Sequence, residues 1–164
     1  MKPSKRPPYE AALREMRRPR PNIKVVLSLL TDGRREGDGR AAYALGTWYA
    51  HGRHVPKSLF KAARLFREAA KTGVPEAFFD LAVCFETGEG AKRNLERAYR
   101  LYLEAALKGD ADSFNEVFRC LYYGIGVARD TRSAWIWHDH AAQVNVAGRG
   151  AGASDRSRGA WQKM

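Results

Sequence analysis

The amino-acid sequence predicts an all-α solenoid of antiparallel helix pairs, and three observations predict it. The chain matches itself at an offset of 36 residues, each unit carries two apolar runs at helical spacing, and small residues recur where those runs would cross. At this offset Gly52, Gly88 and Gly124 align, as do Ala62, Ala98 and Ala134. The pairs Ala69-Ala70, Ala105-Ala106 and Ala141-Ala142 fall together. Leu45 meets Leu81 and Val117, and Tyr49 meets Phe85 and Leu121. Agreement at so many positions in one register marks a stacked repeat.

The first helix of each unit is expected at about 40–51, 76–87 and 112–123, where apolar residues step by three and four. The second is expected at about 59–72, 95–108 and 131–144. Its starts are Ser58, Asn94 and Asp130, whose side chains can accept from free N–H groups of the first turn. Its ends are Gly73, Gly109 and Asn145, residue types that tolerate a left-handed cap. The inward alanines have a mechanical reason, because closely crossing helices leave room only for small side chains.

A degenerate unit precedes these three. Asn22 falls on the start position and Gly37 on the end position, with IKVVLSLL between them at helical spacing. PYEAALREM would be its first helix, and RRPRP the loop that prolines keep from continuing it. The organisation is therefore a basic arm at 1–7 and a solenoid at 8–145. The solenoid comprises a degenerate unit at 8–37 and full units at about 38–73, 74–109 and 110–145. A basic tail follows at 146–164. That tail is rich in Gly, Ser and Arg, with Trp161 its main bulky apolar residue, and is expected to be flexible. Docking of Trp161 on the last helix pair is the competing expectation.

Composition bounds the function. The 164 residues are 45% hydrophobic and 29% charged, ordinary for a soluble globular chain. No apolar run reaches the roughly 20 residues of a membrane span. The basic N-terminus lacks an apolar block behind its charges, which reads against a cleaved secretory signal and for the cytoplasm. Net charge is +11, distributed as +6 over residues 1–40, +2 over 41–145 and +3 over 146–164. Such basic ends steer a protein to acidic proteins, nucleic acid or anionic lipid, or simply keep it soluble.

The block AAYALGTWYAHGRHVPKSLFKAARLFREAAKTG resembles the Sel-one-like repeat, a 36-residue relative of the tetratricopeptide repeat. The matching residues are Ala41, Leu45, Gly46, Tyr49, Gly52, Val55, Ala62, Ala69, Ala70 and Gly73. The second unit matches through Ala77, Leu81, Gly88, Gly90, Ala98, Ala105, Ala106 and Gly109. The third matches through Gly124, Gly126, Val127, Asp130, Ala134, Ala141 and Ala142. The departures are His54 for a loop glycine, Ala82 and Phe118 at the Gly46 position, and Ser113 for the opening alanine. Phe118 is expected to widen the last pair. The resemblance implies a right-handed superhelix and a scaffold or adaptor role, with few enzymes among its members. Some secreted members carry two cysteines per repeat, which this chain does not. Cys84 and Cys120 hold equivalent positions on neighbouring units, on the order of 10 Å apart and beyond the roughly 7 Å Cα limit for a disulfide. They are expected to be half-buried apolar fillers.

Carried over from the related tetratricopeptide proteins, the open concave face comprises three sets of first-helix positions. These are Arg40, Tyr43, Thr47 and His51; Glu76, Phe79, Val83 and Thr87; and Asp112, Asn115, Arg119 and Tyr123. Mixed aromatics and charges suit a peptide or partner subunit. Tyr43 and Phe79 read equally well as packing residues, and the whole face as a solvated surface. Trp135 and Trp137, two apart on the last helix, point to different faces, so one is a candidate partner or tail contact.

Catalytic residues, cofactors and metal are not expected. Gly88-x-Gly90 and Gly124-x-Gly126 read as turn glycines, since a dinucleotide loop requires a preceding strand and a third glycine. His51, His54, His138 and His140 have no Cys or carboxylate set to complete a four-ligand site. Neither cysteine has a base beside it in sequence. The leading expectation is a protein-binding adaptor. The competing one is nucleic-acid or anionic-surface binding through the basic arms, and a hydrolase is a distant third.

Overall fold

The computed structural model describes residues 7–151 of the chain, and helices fill them. There are eight, in four antiparallel pairs: α1 (Pro8–Met16) with α2 (Ile23–Arg35), α3 (Gly39–His51) with α4 (Leu59–Lys71), α5 (Pro75–Thr87) with α6 (Leu95–Leu107), and α7 (Ala111–Tyr123) with α8 (Thr131–Ala151). No strand occurs among the described residues. Each helix packs mainly against its neighbours in sequence, the expected all-α solenoid.

The helix starts follow from the capping residues. The Asn22, Ser58 and Asn94 side chains accept from the N–H groups of Val25, Lys61 and Arg97. Asp130 accepts from Ser133 N–H at 3.0 Å. Each full pair closes by one repeated bond. The N–H groups of Ser58, Asn94 and Asp130 donate to the carbonyls of Tyr49, Phe85 and Leu121 at 2.8, 2.8 and 2.9 Å.

One ending differs from expectation. The last helix does not stop at Asn145 but runs on to Ala151. Asparagine tolerates a left-handed cap but does not impose one, and the helix continues through this position. The arm at 1–6, the tail from 152 onward and Trp161 lie outside the described residues.

Two joined clusters form the core. One surrounds Trp48, fully buried among Ala12, Met16, Val26, Leu30, Leu45 and Leu65, and ties the degenerate pair to the first full unit. The other runs from Tyr43 and Phe66 through Phe85 and Tyr102 to Phe114, Val117 and Cys120. Each large side chain so buried contributes about 1.5–3 kcal/mol of transfer free energy.

The units lock together through the second loop glycine. A Cβ on Gly90 would lie 2.2 Å from the Leu59 carbonyl oxygen, and one on Gly126 would lie 2.0 Å from that of Leu95. Each loop therefore rests directly on the first turn of the preceding unit's second helix. The crossing inside each pair is matched by volume. A Cβ at Gly46 would meet the Phe66 ring at 2.6 Å. In the last unit Phe118 takes the small position and His138 the large one, and their rings lie 5.5 Å apart.

Candidate partner-binding face

The first helices α3 and α5 diverge on one side of the stack and leave a groove of about 480 Å³ between them. Thr47 and His51 of α3 form one wall, Asp80, Val83 and Thr87 of α5 the other, and Phe66 of α4 contributes to the lining between them. Lys57 and Glu89 add a cation and a carboxylate. The lining therefore carries both signs of charge, Lys57 cationic and Asp80 and Glu89 acidic. The Thr47 hydroxyl is spent locally, donating to the Ala44 carbonyl at 2.8 Å. The Thr87 hydroxyl donates to the Val83 carbonyl at 2.9 Å and accepts from Glu89 N–H at 3.2 Å.

The twelve expected face positions divide. Thr47, His51, Val83 and Thr87 come together in this groove. Tyr43 does not reach the open surface, which corrects the expectation that it lines it. It is only 4% exposed, and its ring lies 5.8 Å from Phe66. Thr47 is also buried, at 3%, so it lies deep in the α3 wall rather than at its rim. Both corrections have one cause: α3 is flanked by helices on both sides and buries every residue from Ala41 to Trp48. Phe79 is half-buried, edge-on to Tyr102 at 5.4 Å. Arg40 is exposed but engaged, pairing with Asp38 and Glu10 at 2.9 Å each and lying over the Tyr9 ring. Glu76 is half-buried, while Asp112, Asn115 and Tyr123 are exposed on other stretches of the first helices.

Arg119 is the centre of a network joining two units. Its guanidinium donates to Glu116 at 2.7 Å and to Glu86 at 2.6 Å, and the Tyr102 hydroxyl donates to Glu86 at 2.8 Å. Burial pulls the guanidinium down, but the two carboxylates outweigh it and hold it above its ordinary value. Burial and the Glu86 contact together push the Tyr102 phenol well up. Arg119, expected as a recognition residue, here joins two units through Glu116 and Glu86. Sequence reading missed Glu86, Glu116 and Asp80. Asp80 was findable, because it lies three residues before Val83 and seven before Thr87 and so shares their helix face. Glu86 and Tyr102 lie 16 residues apart on different helices, and no local pattern links them.

At the terminal pair, Trp137 packs on Phe114 at 5.7 Å, while Trp135 is 51% exposed beside Phe118 and His138. The two tryptophans therefore do face different ways.

Cys84 and Cys120 are both free and buried more deeply than half. Burial pushes each thiol up to about 11, with nearby carboxylates adding to it. Neither is held as a thiolate near neutral pH, so neither is primed as a nucleophile. Among the described residues no three His, Cys, Asp or Glu side chains converge as a metal site. No helix among them is long and apolar enough to cross a membrane.

The profile of the Sel1 repeat matches residues 39–74, 75–110 and 115–145. Among solved structures, a protective antigen of uropathogenic Escherichia coli with an SLR fold superposes with a TM-score of 0.78. It is 25% identical over 83% of this chain and 30% of its own. A Sel1 repeat protein of Oxalobacter formigenes gives 0.72 at 22% identity, over 76% of this chain and 51% of its own. Cysteine-rich protein B of Helicobacter pylori gives 0.54 at 24% identity, over 56% of this chain and 69% of its own. The present chain thus spans less than a third of the first of these proteins and about half of the second. The sequence matches no curated protein.

Proposed function

This chain belongs to the Sel1 repeat family, whose members are generally protein-interaction scaffolds, and from that premise we propose that it holds an extended segment of a partner protein in the α3–α5 groove. The observation that carries the reading is convergence: side chains from two successive units, including Lys57, Asp80 and Glu89, line one open groove of about 480 Å³. An extended peptide presents side chains on alternate faces, so one strand could place an apolar residue against Val83 and charged ones beside Lys57 and Asp80. A non-catalytic role is part of this reading, supported by the family's scaffold character and by thiols that burial holds protonated. We place the protein in the cytoplasm, a compartment that suits two unpaired cysteines.

The test is affinity capture with the full chain and with a groove-blocked Val83→Arg/Thr87→Arg variant. Both positions are half-buried or exposed, so the variant is expected to keep its helical content, which circular dichroism checks. The proposal expects a partner held by the parent chain and lost, by about tenfold or more, from the variant. Equal capture by both would refute it. Binding that survives groove blocking but disappears without residues 1–6 and 152–164, which lie outside the described helices, and falls steeply with salt, would instead establish the basic arms as the binding element.

A further inference from the structure

The second helices carry a different surface. Between α4 and α6 lies a cleft of about 490 Å³ lined by Arg64, Arg67, Lys92, Arg93 and Arg97, with Phe60 beside them. Among the described residues no aspartate or glutamate lines it. The nearby helix carboxylates make their ion pairs outside the cleft, Glu68 with Arg34 and Glu96 with Arg100, although Glu68 also lies within the field of Arg64. Phe60 is 70% exposed, an apolar ring held in solvent beside five cations. Residues 41–145 together carry only +2, so this concentration of charge is a matter of placement.

The repeat itself separates what the fold requires here from what it does not. Arg93 serves the fold, because its Nε donates to the Glu86 carbonyl at 3.0 Å, and Arg129 does the same to Tyr122 one unit on. Arg97 lies over the Phe85 ring as Lys61 lies over Tyr49 one unit back. No such account covers the others. One unit on, the positions of Arg67 and Lys92 are Leu103 and Ala128, and one unit back they are Thr31 and Pro56. The counterpart of Arg64 is Arg100, which Glu96 neutralises at 2.6 Å. Glu96 stands at the position that Phe60 occupies here. An apolar side chain thus stands where the next unit has the carboxylate that pairs with Arg100, and no ion pair to Arg64 forms there.

We propose that this cleft, between α4, the α5–α6 loop and the start of α6, is a second docking site and that its occupant is an acidic segment of a partner protein. Guanidinium groups take carboxylates in paired hydrogen bonds, and the exposed Phe60 ring offers a contact for one apolar side chain of the segment. Its volume suits a few side chains. The equivalent stretch of the next unit mixes signs, with Glu96 pairing with Arg100 and Asp130 next to Arg129, so no unbroken cationic track for a phosphate backbone leads on from the cleft. The site is independent of the α3–α5 groove and shares no lining residue with it.

The test uses the full chain and a fluorescein-labelled peptide in which three glutamates flank one phenylalanine on each side, followed by fluorescence anisotropy. A uridine oligonucleotide of similar charge serves as the second probe. The variants are Arg64→Glu/Arg67→Glu, Phe60→Ser, and a charge-matched control, Arg20→Glu/Arg132→Glu, at exposed positions away from the cleft. The expected result is that the peptide binds the parent chain, that Arg64→Glu/Arg67→Glu weakens it about tenfold or more, and that Phe60→Ser weakens it about threefold or more. The control is expected to stay within about twofold, and blocking Val83 and Thr87 to change nothing. Absence of peptide binding, or equal weakening by cleft and control variants, overturns the proposal. So does an oligonucleotide that binds more tightly than the peptide and is lost with Arg64 and Arg67. A Phe60→Ser variant that binds as the parent does would overturn the apolar contact.

Discussion

Replacing Gly126 by alanine should break the stacking of the last two units, and the cost can be worked from the backbone. The residue sits at φ +70, in the left-handed region. An alanine there costs about 1–2 kcal/mol, of which about 0.4–1 kcal/mol returns through a less flexible unfolded chain. The larger part is contact. The new methyl would lie 2.0 Å from the Leu95 carbonyl oxygen, 2.4 Å from its carbon and 2.9 Å from Glu96 N. These are backbone atoms in the first turn of α6, so no side chain can swing aside. Relief requires the loop and α6 to separate by roughly an ångström, an overpacking cost of about 1–3 kcal/mol. The sum is about 2–4 kcal/mol, a large part of the roughly 5–15 kcal/mol typical of a domain. Gly109→Ala is the matched control. It also has positive φ, +90, but nothing lies within 4 Å of its added Cβ. It should cost only the backbone part, about 1 kcal/mol. The assay is urea unfolding followed by far-ultraviolet circular dichroism, with thermal midpoints expected to fall by about 5–15 °C for Gly126→Ala. Equal midpoints for the two variants would show that the loop does not bear on α6.

Two further outcomes follow from charge and burial. The Arg34 hydrogen bond holds the Glu68 carboxyl below its usual range, against the opposing effect of burial. A depressed folded value means stability that is present above the unfolded value of about 4.3 and lost as pH falls through the folded one. The pair is about one-third exposed on each side, so screening limits this to about 0.5–1 kcal/mol. Glu68→Gln should therefore cost that much near neutrality and nothing in acid, as compared by urea midpoints at the two pH values. The thiols make the second case. Raised to about 11 and buried, Cys84 and Cys120 should resist iodoacetamide in the folded chain at about pH 8 and react fully once unfolded. Rapid alkylation of either in the native state, counted by mass spectrometry, would contradict their burial.

What could be read from the sequence was local and periodic. The 36-residue register located both helices of each full unit to within about a residue at most ends, because capping side chains and the apolar period are properties of a single turn. Asn22, Ser58, Asn94 and Asp130 cap where their chemistry says they should. The buried alanines were equally legible, since close crossing leaves no alternative. Asn145 shows the limit. As a residue type it allows a stop without imposing one, and α8 runs on to Ala151.

The sequence by itself determined the solenoid, its unit length and the stripe each helix buries, because those depend on spacing along one chain. Only the tertiary structure decided that Tyr43 is core while His51 is groove, that Arg119 bridges to Glu86, and that Arg64 and Arg67 share a cleft with Lys92 and Arg97. Those outcomes depend on how each pair crosses and how successive units stack, which are set by contacts across helices, as at Gly46 with Phe66 inside a pair and Gly126 on the Leu95 carbonyl between units. A period of about 3.6 residues states which side of a helix is inward. It carries no information on which outward sides come to face one another.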